Sequence, residues 1–468
     1  MQANEMRGGT RHDGRKPPAR GVRRVRASGL VSGLTAPTAS HLVLGGRAAG
    51  TTTLLVAALL MLTACANPVA TTEPATTEPA TTEPVTTEPD CEPDGSQLAA
   101  TGSPSASALE LPEPTGPHRV GTTRVELTDE DREDPLSETA TARELIAQVW
   151  YPTDSQPGDC VFARYQAAPE AAANEQAFLY PAGSLDAIVT PALLNAPIAD
   201  ADSGYPVVLY SNGLYGALTD NTAIALQLAS VGYVVVATST TYESPAVAMA
   251  DDRVLATSPE VEELLQADVV TPLIQLRVDD ASFVLDQLAS EGAFPETLRQ
   301  AVDLTTVGMF GHSAGGAASL QLARDEADVQ AAVNLDGFAR QAQPEAGLDK
   351  PFLFVTSDGH TAATEPTWPP FLEASNDGTI VEIAHAGHLA LTDVGSDGWI
   401  DAFGLEETAP PEAFATNFGD LEPGAQAVIV EGVTAFFDQT LRDDEDAPGF
   451  EQLHATRPEI VKSVTPAP

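Results

Sequence analysis

The sequence is poor in basic residues, and this scarcity excludes one large class of partners. The chain has 23 Lys and Arg residues against 67 Asp and Glu residues, a formal net charge of −44. Nine of the basic residues lie within positions 1–64, so the remainder holds 14 basic against 65 acidic residues. A surface of this sign repels nucleic-acid phosphates and is not drawn to anionic lipid by charge. We therefore expect no nucleic-acid partner.

Cysteine is also scarce. The chain has only Cys65, Cys91 and Cys160, and their spacing is not that of a metal site. Neither Cys91 nor Cys160 has a histidine beside it in the sequence, so a cysteine nucleophile is not indicated. We expect no metal centre on these residues.

One apolar run of moderate length lies near the N-terminus. Arg47 precedes the run Leu54–Leu62, which ends in Leu62-Thr63-Ala64-Cys65. The run is too short to span a bilayer comfortably and has the basic-then-apolar order of a signal peptide. Its ending resembles a bacterial lipobox, which implies cleavage before Cys65 and attachment of lipid to its sulfur. The alternatives are an ordinary signal peptide or an uncleaved anchor.

These features predict an exported protein with a signal peptide over residues 1–64. It would be anchored through lipid at the outer face of the bacterial cell membrane, or secreted. Four copies of a five-residue Thr/Glu/Pro unit follow between Thr71 and Asp90, and such a repeat cannot form a core. We predict a disordered stalk over residues 65–117. With Cys65 lipidated, Cys91 and Cys160 can form a disulfide in an oxidising compartment.

The rest of the chain alternates between short apolar segments and helical patterns. This order, together with a 43% hydrophobic content, predicts one α/β domain over residues 118–445. A C-terminal tail is expected over residues 446–468. The predicted sheet has eight strands, is mostly parallel and carries helices on both faces. Its strands are Arg124–Leu127, Leu145–Tyr151, Pro206–Tyr210, Tyr233–Thr238, Thr306–Phe310, Ala331–Leu335, Phe352–Val355 and Ile380–Ile383.

The sharpest motif is Gly311-His312-Ser313-Ala314-Gly315. It follows the predicted strand Thr306–Phe310 directly and opens a helical segment. A serine on a strained strand-to-helix turn needs small neighbours two residues away on each side, and the helix N-terminus favours developing negative charge. The motif in this setting predicts an α/β-hydrolase fold with Ser313 as nucleophile.

A serine hydroxyl needs a base, and histidine supplies it in most such sites. Of eight histidines, only His360, His385 and His388 remain after those near the termini and His312, which should point away from Ser313. His388 follows a predicted strand in the loop where the last triad member belongs. A metal site formed by His385 and His388 lacks a supporting helix or carboxylate motif, and His385 is expected either at the surface or in contact with the catalytic residues from behind.

The orienting acid has two candidates. Asp336 follows the strand Ala331–Leu335, and Asp358 follows the strand Phe352–Val355. Both stand between Ser313 and His388 in the chain, and both lie at strand ends, where catalytic groups collect. The residues alone do not separate them.

The sequence resembles the bacterial branch of the platelet-activating-factor acetylhydrolase family, which is related to dienelactone hydrolases and cutinases. The similarity extends over most of residues 118–440. It is strongest in the segments Gly311–Gly315, Asn334–Gly337 and Gly387–Asp393, with Ala147–Pro152, Tyr205–Ser211, Gly232–Ala237 and Arg277 with Asp280 in support. In that family the acid follows the strand after the nucleophile, which implies Asp336. In cutinase-like relatives it comes one strand later, so Asp358 stays open.

The same resemblance bears on the oxyanion hole, which needs two backbone N–H groups. One is expected from Ala314, which follows the nucleophile, and the position that matches the family for the other is Leu214. The sequence departs from the family where Asn212 replaces a common His and where Ser239-Thr240 replaces Asp-His.

These features predict a serine hydrolase of carboxylic esters that needs no metal or organic cofactor. The resemblance implies short-acyl phospholipids or other small ester or lipid substrates. A cutinase-like polyester or lipid esterase and a dienelactone hydrolase are alternatives, although the latter usually has cysteine where Ser313 stands. A non-catalytic lipoprotein that binds an acyl ligand is the alternative from another class. The acidic insertion Thr240–Val269 is either a lid or a solvated loop.

Overall fold

The computed structural model describes residues 91, 97–104, 109–340 and 346–466. Eleven strands form one sheet, and two short strands form a separate hairpin. The strands are β1 (Arg119–Glu133), β2 (Ala142–Thr153), β3 (Phe162–Arg164), β4 (Val189–Leu194), β5 (Tyr205–Ser211), β6 (Val234–Thr238), β7 (Val247–Ala248), β8 (Val254–Leu255), β9 (Val302–His312), β10 (Val329–Leu335), β11 (Phe352–Thr356), β12 (Gly378–Ile383) and β13 (Val461–Pro466).

Helices connect the strands and cover the sheet. They are α1 (Ala168–Ala177), α2 (Thr222–Ser230), α3 (Pro259–Gln266), α4 (Thr271–Ala289), α5 (Glu296–Ala301), α6 (Ala314–Asp325), α7 (Trp368–Glu373), α8 (Trp399–Ala402), α9 (Leu405–Thr408), α10 (Pro411–Asn417), α11 (Ala425–Leu441) and α12 (Phe450–Thr456).

The centre of the sheet is parallel. In the order β13-β12-β11-β10-β9-β5-β6-β2-β1-β4-β3, the six strands from β12 to β6 pair in parallel. Antiparallel strands flank them at both ends. All five residues of β6 are buried, as expected for a parallel strand covered on both faces.

Alternate residues of the strands face two helical layers. Val207 and Leu209 of β5 belong to the same apolar cluster as the buried residues of α4 and α6. Val208 and Tyr210 belong to the cluster that contains α2 and α11. The predicted arrangement of helices on both faces of a mostly parallel sheet is therefore confirmed.

The predicted number of strands is too low. Seven of the eight predicted strands lie within strands of the structure, and the eighth, Tyr233–Thr238, begins one residue before β6; β3, β4 and β13 were not predicted. The predicted tail over residues 446–468 instead forms α12 and the edge strand β13, which pairs antiparallel with β12. Val461 and Ile460 are buried there, and this burial accounts for the ordered C-terminus.

The folded domain also begins before residue 118. Leu98 and Leu109 are buried, and Ala99 bridges to Ala163 beside β3. These residues lie in the segment predicted as stalk. The predicted signal peptide, Cys65 and the Thr/Glu/Pro repeats lie outside the described residues. Within the described residues, no helix combines the length and the apolar character needed to cross a membrane.

Candidate active site

Ser313 lies at the turn between β9 and α6. Its backbone has φ 54° and ψ −115°, a conformation that costs free energy for a residue with a side chain. The Ser313 N–H donates to the carbonyl of Leu335 on β10, at 2.8 Å, which fixes the turn against the neighbouring strand. The sequence motif predicted a strained strand-to-helix turn, and the structure has one.

Two glycines allow this turn to form. A Cβ atom on Gly311 would lie 2.2 Å from the carbonyl carbon of Gly315. A Cβ atom on Gly315 would lie 1.9 Å from the carbonyl oxygen of Ser211 on β5. Because backbone atoms occupy this space, no larger residue fits at either position without moving the strand or the turn.

Asp336 follows β10 and is buried beside His388. Its Oδ2 atom lies 2.7 Å from Nδ1 of His388, and the Ser357 hydroxyl donates to the same oxygen at 3.0 Å. Burial of the Asp336 carboxyl alone would raise its pKa, but His360 and then His388 outweigh burial and hold the pKa well below its usual range. Asp336 is therefore ionised and accepts hydrogen bonds only.

Asp358, the other candidate acid, points to a different partner. Its Oδ1 atom lies 2.7 Å from Nζ of Lys462 on β13, and its Oδ2 accepts the backbone N–H of His385 at 2.9 Å. The hydrogen bond from Lys462 is the main reason why the pKa of Asp358 is lowered. The His385 ring is 63% exposed and lies 3.9 Å from Asp358. Asp358 and His385 thus form a surface cluster with Lys462.

The contact with Asp336 sets the tautomer of His388. Because an ionised carboxylate only accepts, the proton of His388 lies on Nδ1 and leaves Nε2 as a proton acceptor. The side chain of His388 is 31% exposed. In this structure no hydrogen bond joins His388 to the hydroxyl of Ser313. His312, which directly precedes Ser313 in the chain, forms a hydrogen bond with the backbone of His388.

His312 holds the segment that carries His388. Its Nε2 atom donates to the backbone carbonyl of His388 at 3.0 Å, and the two imidazole rings lie 4.6 Å apart. Burial, and next the nearby His388, lower the pKa of His312 to about 3, so this ring is neutral. Sequence reasoning directed His312 away from the nucleophile but missed this contact.

A second histidine contacts Asp336. Nδ1 of His360 lies 2.7 Å from Oδ1 of Asp336, and Nε2 of His360 lies 3.8 Å from a carboxylate oxygen of Glu365. Burial alone would lower the pKa of His360, but Asp336, followed by Glu365, raises it to about 10. From the sequence, His360 was considered only as a candidate base. Its position in the loop after β11 was the available sign that it could contact Asp336.

The two expected oxyanion donors follow adjacent strands, β9 and β5. Ala314 is the first residue of α6, and the first N–H groups of a helix have no partner within it. Leu214 lies in the loop after β5, and no hydrogen bond occupies its N–H within the described part of the chain. A Cβ atom on Gly213, just before Leu214, would lie 3.3 Å from Cβ of Ser313, so this loop passes close to Ser313.

The buried side chain of Arg277 stabilises the loop that contains Leu214. Arg277 on α4 donates to the carbonyl oxygens of Asn212 and Gly213, and to the Ser211 hydroxyl at 3.2 Å. Its guanidinium also pairs with Glu243 at 2.7 Å, and both side chains are at most 1% exposed. Sequence reasoning noted Arg277 only as part of the family resemblance.

Asn212 and Thr240, two positions at which the sequence departs from the family it resembles, are in contact. The Asn212 amide donates to Thr240 Oγ1 at 3.0 Å and to the carbonyl of Gly216 at 2.9 Å. Ser244 donates to that carbonyl as well, at 2.6 Å. Asn212 and Thr240 are therefore hydrogen-bonded to each other, and the contacts of Asn212 close the loop.

The insertion Thr240–Val269 is packed on one side of the site. Val261 of α3 is fully buried. Leu214 and Tyr215, in the loop after β5, pack against the same cluster as Leu265. The insertion is thus packed beside Leu214 over part of its length, while most residues between Ala250 and Val269 are exposed to solvent. It forms an apolar wall beside Leu214.

A second apolar wall lies beside His388. Leu389 packs against a cluster that contains Tyr165, Trp399, Phe403 and other aromatic side chains. The loop after His388 is anchored at its far end, where the Asp393 carboxylate accepts two backbone N–H groups at the start of α2 and the Tyr165 hydroxyl. Apolar clusters therefore pack against both Leu214 and Leu389.

Cys91 and Cys160 are joined by a disulfide, remote from Ser313 at the β3–β4 end of the sheet. Within the described residues, no group of three or more His, Cys, Asp or Glu side chains is arranged to hold a metal ion.

Part of the chain matches a known protein family. Residues 104–280 match the family model described as platelet-activating factor acetylhydrolase, isoform II. This match ends before Ser313, and it includes Leu214 and Arg277. A probable 1-alkyl-2-acetylglycerophosphocholine esterase from Arthroderma benhamiae is 25% identical over 309 residues, which cover 59% of this chain and 72% of that protein.

A solved structure is similar as well. The ferulic acid esterase from Streptomyces cinnamoneus aligns with a TM-score of 0.65 and 28% sequence identity, over 77% of this chain and the whole of that chain. The protein thus has the α/β-hydrolase fold, and its similarities support an esterase of the kind represented by platelet-activating factor acetylhydrolase.

Proposed function

We propose that the protein is a serine carboxylic-ester hydrolase that works through an acyl-enzyme, with Ser313, His388 and Asp336 as its triad. The observation that carries the proposal is the pairing of His388 with the buried Asp336, at 2.7 Å, beside a serine on a strained turn. Asp336 is preferred over Asp358 because Asp358 is bound to Lys462.

In the acylation step, Nε2 of His388 takes the Ser313 proton while Oγ attacks the ester carbonyl carbon. The carbonyl electrons move to the oxygen, which the N–H groups of Ala314 and Leu214 stabilise. The intermediate collapses, the bond to the alcohol oxygen breaks, and His388 returns the proton to that oxygen. Asp336 holds the ring orientation and stabilises its charged form.

Deacylation repeats the sequence with water. His388 removes a proton from the water, the resulting hydroxide attacks the acyl carbon, and the bond to Ser313 breaks as His388 protonates Oγ. The products are a carboxylic acid and free Ser313. The Ser313–His388 hydrogen bond absent from this structure would form when substrate is bound, as is common for catalytic hydrogen bonds.

The proposed substrates are small esters with apolar groups, because apolar surfaces lie beside both Leu214 and Leu389. Short-acyl phospholipids are preferred on the strength of the family match and the Arthroderma relative. Aromatic acyl esters are the second candidate, since the solved ferulic acid esterase is matched over its whole length.

Labelling with a fluorophosphonate and hydrolysis of p-nitrophenyl butyrate test the mechanism. Both should be lost in Ser313→Ala and kept in Ser290→Ala, which changes an exposed serine at the end of α4. Hydrolysis retained by Ser313→Ala would overturn the mechanism. Absence of turnover in the unmodified protein would instead favour the non-catalytic binding alternative.

A substrate panel tests the preferred class. It contains p-nitrophenyl esters of increasing chain length, a glycerophospholipid with an sn-2 acetyl group, and methyl ferulate. The highest kcat/KM is expected on the sn-2 acetyl phospholipid; a higher value on methyl ferulate would select the aromatic-ester candidate. A preference for long-chain esters would favour a cutinase-like activity.

We also propose that the protein is exported and held at the membrane through lipid on Cys65. The apolar run, the Cys65 motif and the following repeats support this, and the Cys91–Cys160 disulfide suits an oxidising compartment. Metabolic labelling with a clickable fatty acid should mark the protein and fail in Cys65→Ser. Equal labelling of both would contradict the anchor.

A further inference from the structure

The carboxylate of Asp336 is shared between two histidines on different loops. His388 contacts Oδ2 and His360 contacts Oδ1, each at 2.7 Å. The backbone N–H and the hydroxyl of Ser357 take one further position on each oxygen, at 2.6 and 3.0 Å. The acid is therefore fully hydrogen-bonded, and three of its four contacts come from outside the triad.

His360 is held in place by contacts of its own. Its ring lies 4.7 Å from that of Trp368, whose indole N–H donates to the carbonyl of Gly337 at 3.0 Å. Glu365 faces the other nitrogen of His360 and accepts the backbone N–H of Thr367 at 2.9 Å. The segment 357–368 thus wraps around Asp336 and the residue that follows it.

The charge of His360 follows from its partners. One ring nitrogen faces Asp336 and the other faces Glu365, so a neutral ring would present a lone pair to a carboxylate. The doubly protonated ring satisfies both. The other titratable groups near this pair are His388 and the neutral His312, while Asp358 is neutralised by Lys462.

On the proposed esterase function, we propose that His360 is a positioning residue whose positive charge partly neutralises Asp336 and thereby keeps His388 able to accept a proton at acidic pH. A carboxylate beside a histidine favours its charged form, and a charged histidine cannot act as base. A cation on the far side of that carboxylate reduces the effect, while hydrogen bonds still fix the orientation of His388.

The test is the pH profile of kcat/KM for p-nitrophenyl butyrate in His360→Asn and His360→Gln. Both substitutions remove the charge and leave an amide that can donate to Asp336. The acidic limb should move to higher pH by about 0.5–1 unit, with the plateau within about threefold of the unmodified enzyme. At a pH below this limb, kcat/KM of the variants should therefore be about threefold to tenfold lower than that of the unmodified enzyme.

The matched control is His385→Asn, which removes an exposed histidine that also faces an aspartate; asparagine tolerates the positive φ of 59° there. Its acidic limb should coincide with that of the unmodified enzyme. A His360 variant with a lower plateau and an unmoved limb would show a merely structural role and overturn the proposal.

A second measurement does not depend on activity. With ¹⁵N-labelled histidine, the two ring nitrogens of His360 should both give protonated signals at pH 8 in the unmodified protein. A neutral ring at that pH would overturn the proposal even if ester hydrolysis is confirmed. Loss of turnover in the unmodified enzyme would contradict the proposed function instead, so the two failures are distinguishable.

Discussion

The carboxylate of Asp336 lies 2.7 Å from Nδ1 of His388, whereas the carboxylate of Asp358 lies 2.7 Å from Lys462. Both aspartates follow strands of the parallel sheet, and the sequence could not separate them. The side-chain contacts separate them because only Asp336 is buried and faces the imidazole. This difference can be tested by replacing each aspartate with asparagine.

Asp336→Asn should lower kcat by a factor on the order of 10³–10⁴ with a small change in KM, because an amide no longer enforces the reactive tautomer of His388. Asp358→Asn should stay within about threefold of the unmodified enzyme, since it breaks only an exposed ion pair. Steady-state kinetics on p-nitrophenyl butyrate measure both. If only Asp358→Asn abolishes turnover, the proposed triad is wrong.

The strand-to-helix motif made the strained turn at Ser313 and the central sheet predictable. A glycine-flanked serine after an apolar strand has few structural solutions, and residues 302–325 adopt the expected one. Six of the eight predicted strands were found because buried parallel strands are continuous apolar runs, and the other two lie in the antiparallel β1 and β2. The edge strands β3 and β13 were missed because they are short or partly polar, and they are stabilised by pairing rather than by their own composition.

Contacts between distant residues account for most of what the sequence did not reveal. His360 and Asp336 are 24 residues apart, and Arg277 lies 65 residues from Asn212. No local pattern marks such pairs, because each partner sits in its own strand-end loop or helix. Arg277 and His312 stand in recognisable motifs, but their contacts depend on how the loops after β5, β9 and β12 fold together.

Arg277→Met should weaken both stability and catalysis. It removes the donors that hold Asn212 and Gly213 and leaves Glu243 as a buried unpaired charge, which costs about 3–5 kcal/mol. We expect kcat/KM to fall by about 10²-fold as the Leu214 N–H loses its position. Urea unfolding and steady-state kinetics measure the two effects.

Two further variants separate stability from positioning. Arg277→Met combined with Glu243→Gln should regain part of the lost stability, because the unpaired charge is gone, but should not regain activity. Arg457→Met breaks an exposed pair with Glu459 and should change neither quantity. Activity that recovers in parallel with stability in the double variant would show that Arg277 does not position the oxyanion loop.

Stability should fall on acidification partly because of His312. Its pKa is about 3 in the folded protein and near 6.5 when the ring is free, so between these values the unfolded chain binds a proton that the folded protein does not. The free energy of unfolding therefore decreases as pH falls from 6.5 toward 3. In His312→Gln, which keeps a donor for the His388 carbonyl, that decrease should be less steep.

Urea unfolding at pH 7, 5.5 and 4.5 measures the slope. Asp336 contributes in the same direction at lower pH, because its lowered pKa gives stability that is lost as pH falls below about 4. The comparison between the two proteins isolates His312, since Asp336 is present in both. Equal slopes would show that the buried His312 ring takes up its proton without unfolding.

The disulfide between Cys91 and Cys160 should stabilise the domain without affecting catalysis. It closes a loop with a sequence separation of 69, for which chain entropy predicts about 4 kcal/mol. Cys160 lies beside β3, at the opposite edge of the sheet from β13, whereas Ser313 follows β9 in the centre. The double variant Cys91→Ser with Cys160→Ser should therefore melt at lower temperature and keep kcat/KM within about twofold, because the active-site loops do not depend on this edge.

Limited proteolysis shows which segment loses stability when the disulfide is removed. Residues 97–100 pair with β3 through the Ala100 N–H, which donates to Phe162, and through the Leu98 carbonyl, which accepts from Arg164. Without the disulfide this segment should become the first site of cleavage, since only its hydrogen bonds and the buried Leu98 then hold it. The unmodified protein treated with reductant should behave in the same way. A loss of kcat/KM at an unchanged melting temperature would show instead that the N-terminal segment communicates with Ser313, which the separation of β3 from β9 in the sheet argues against.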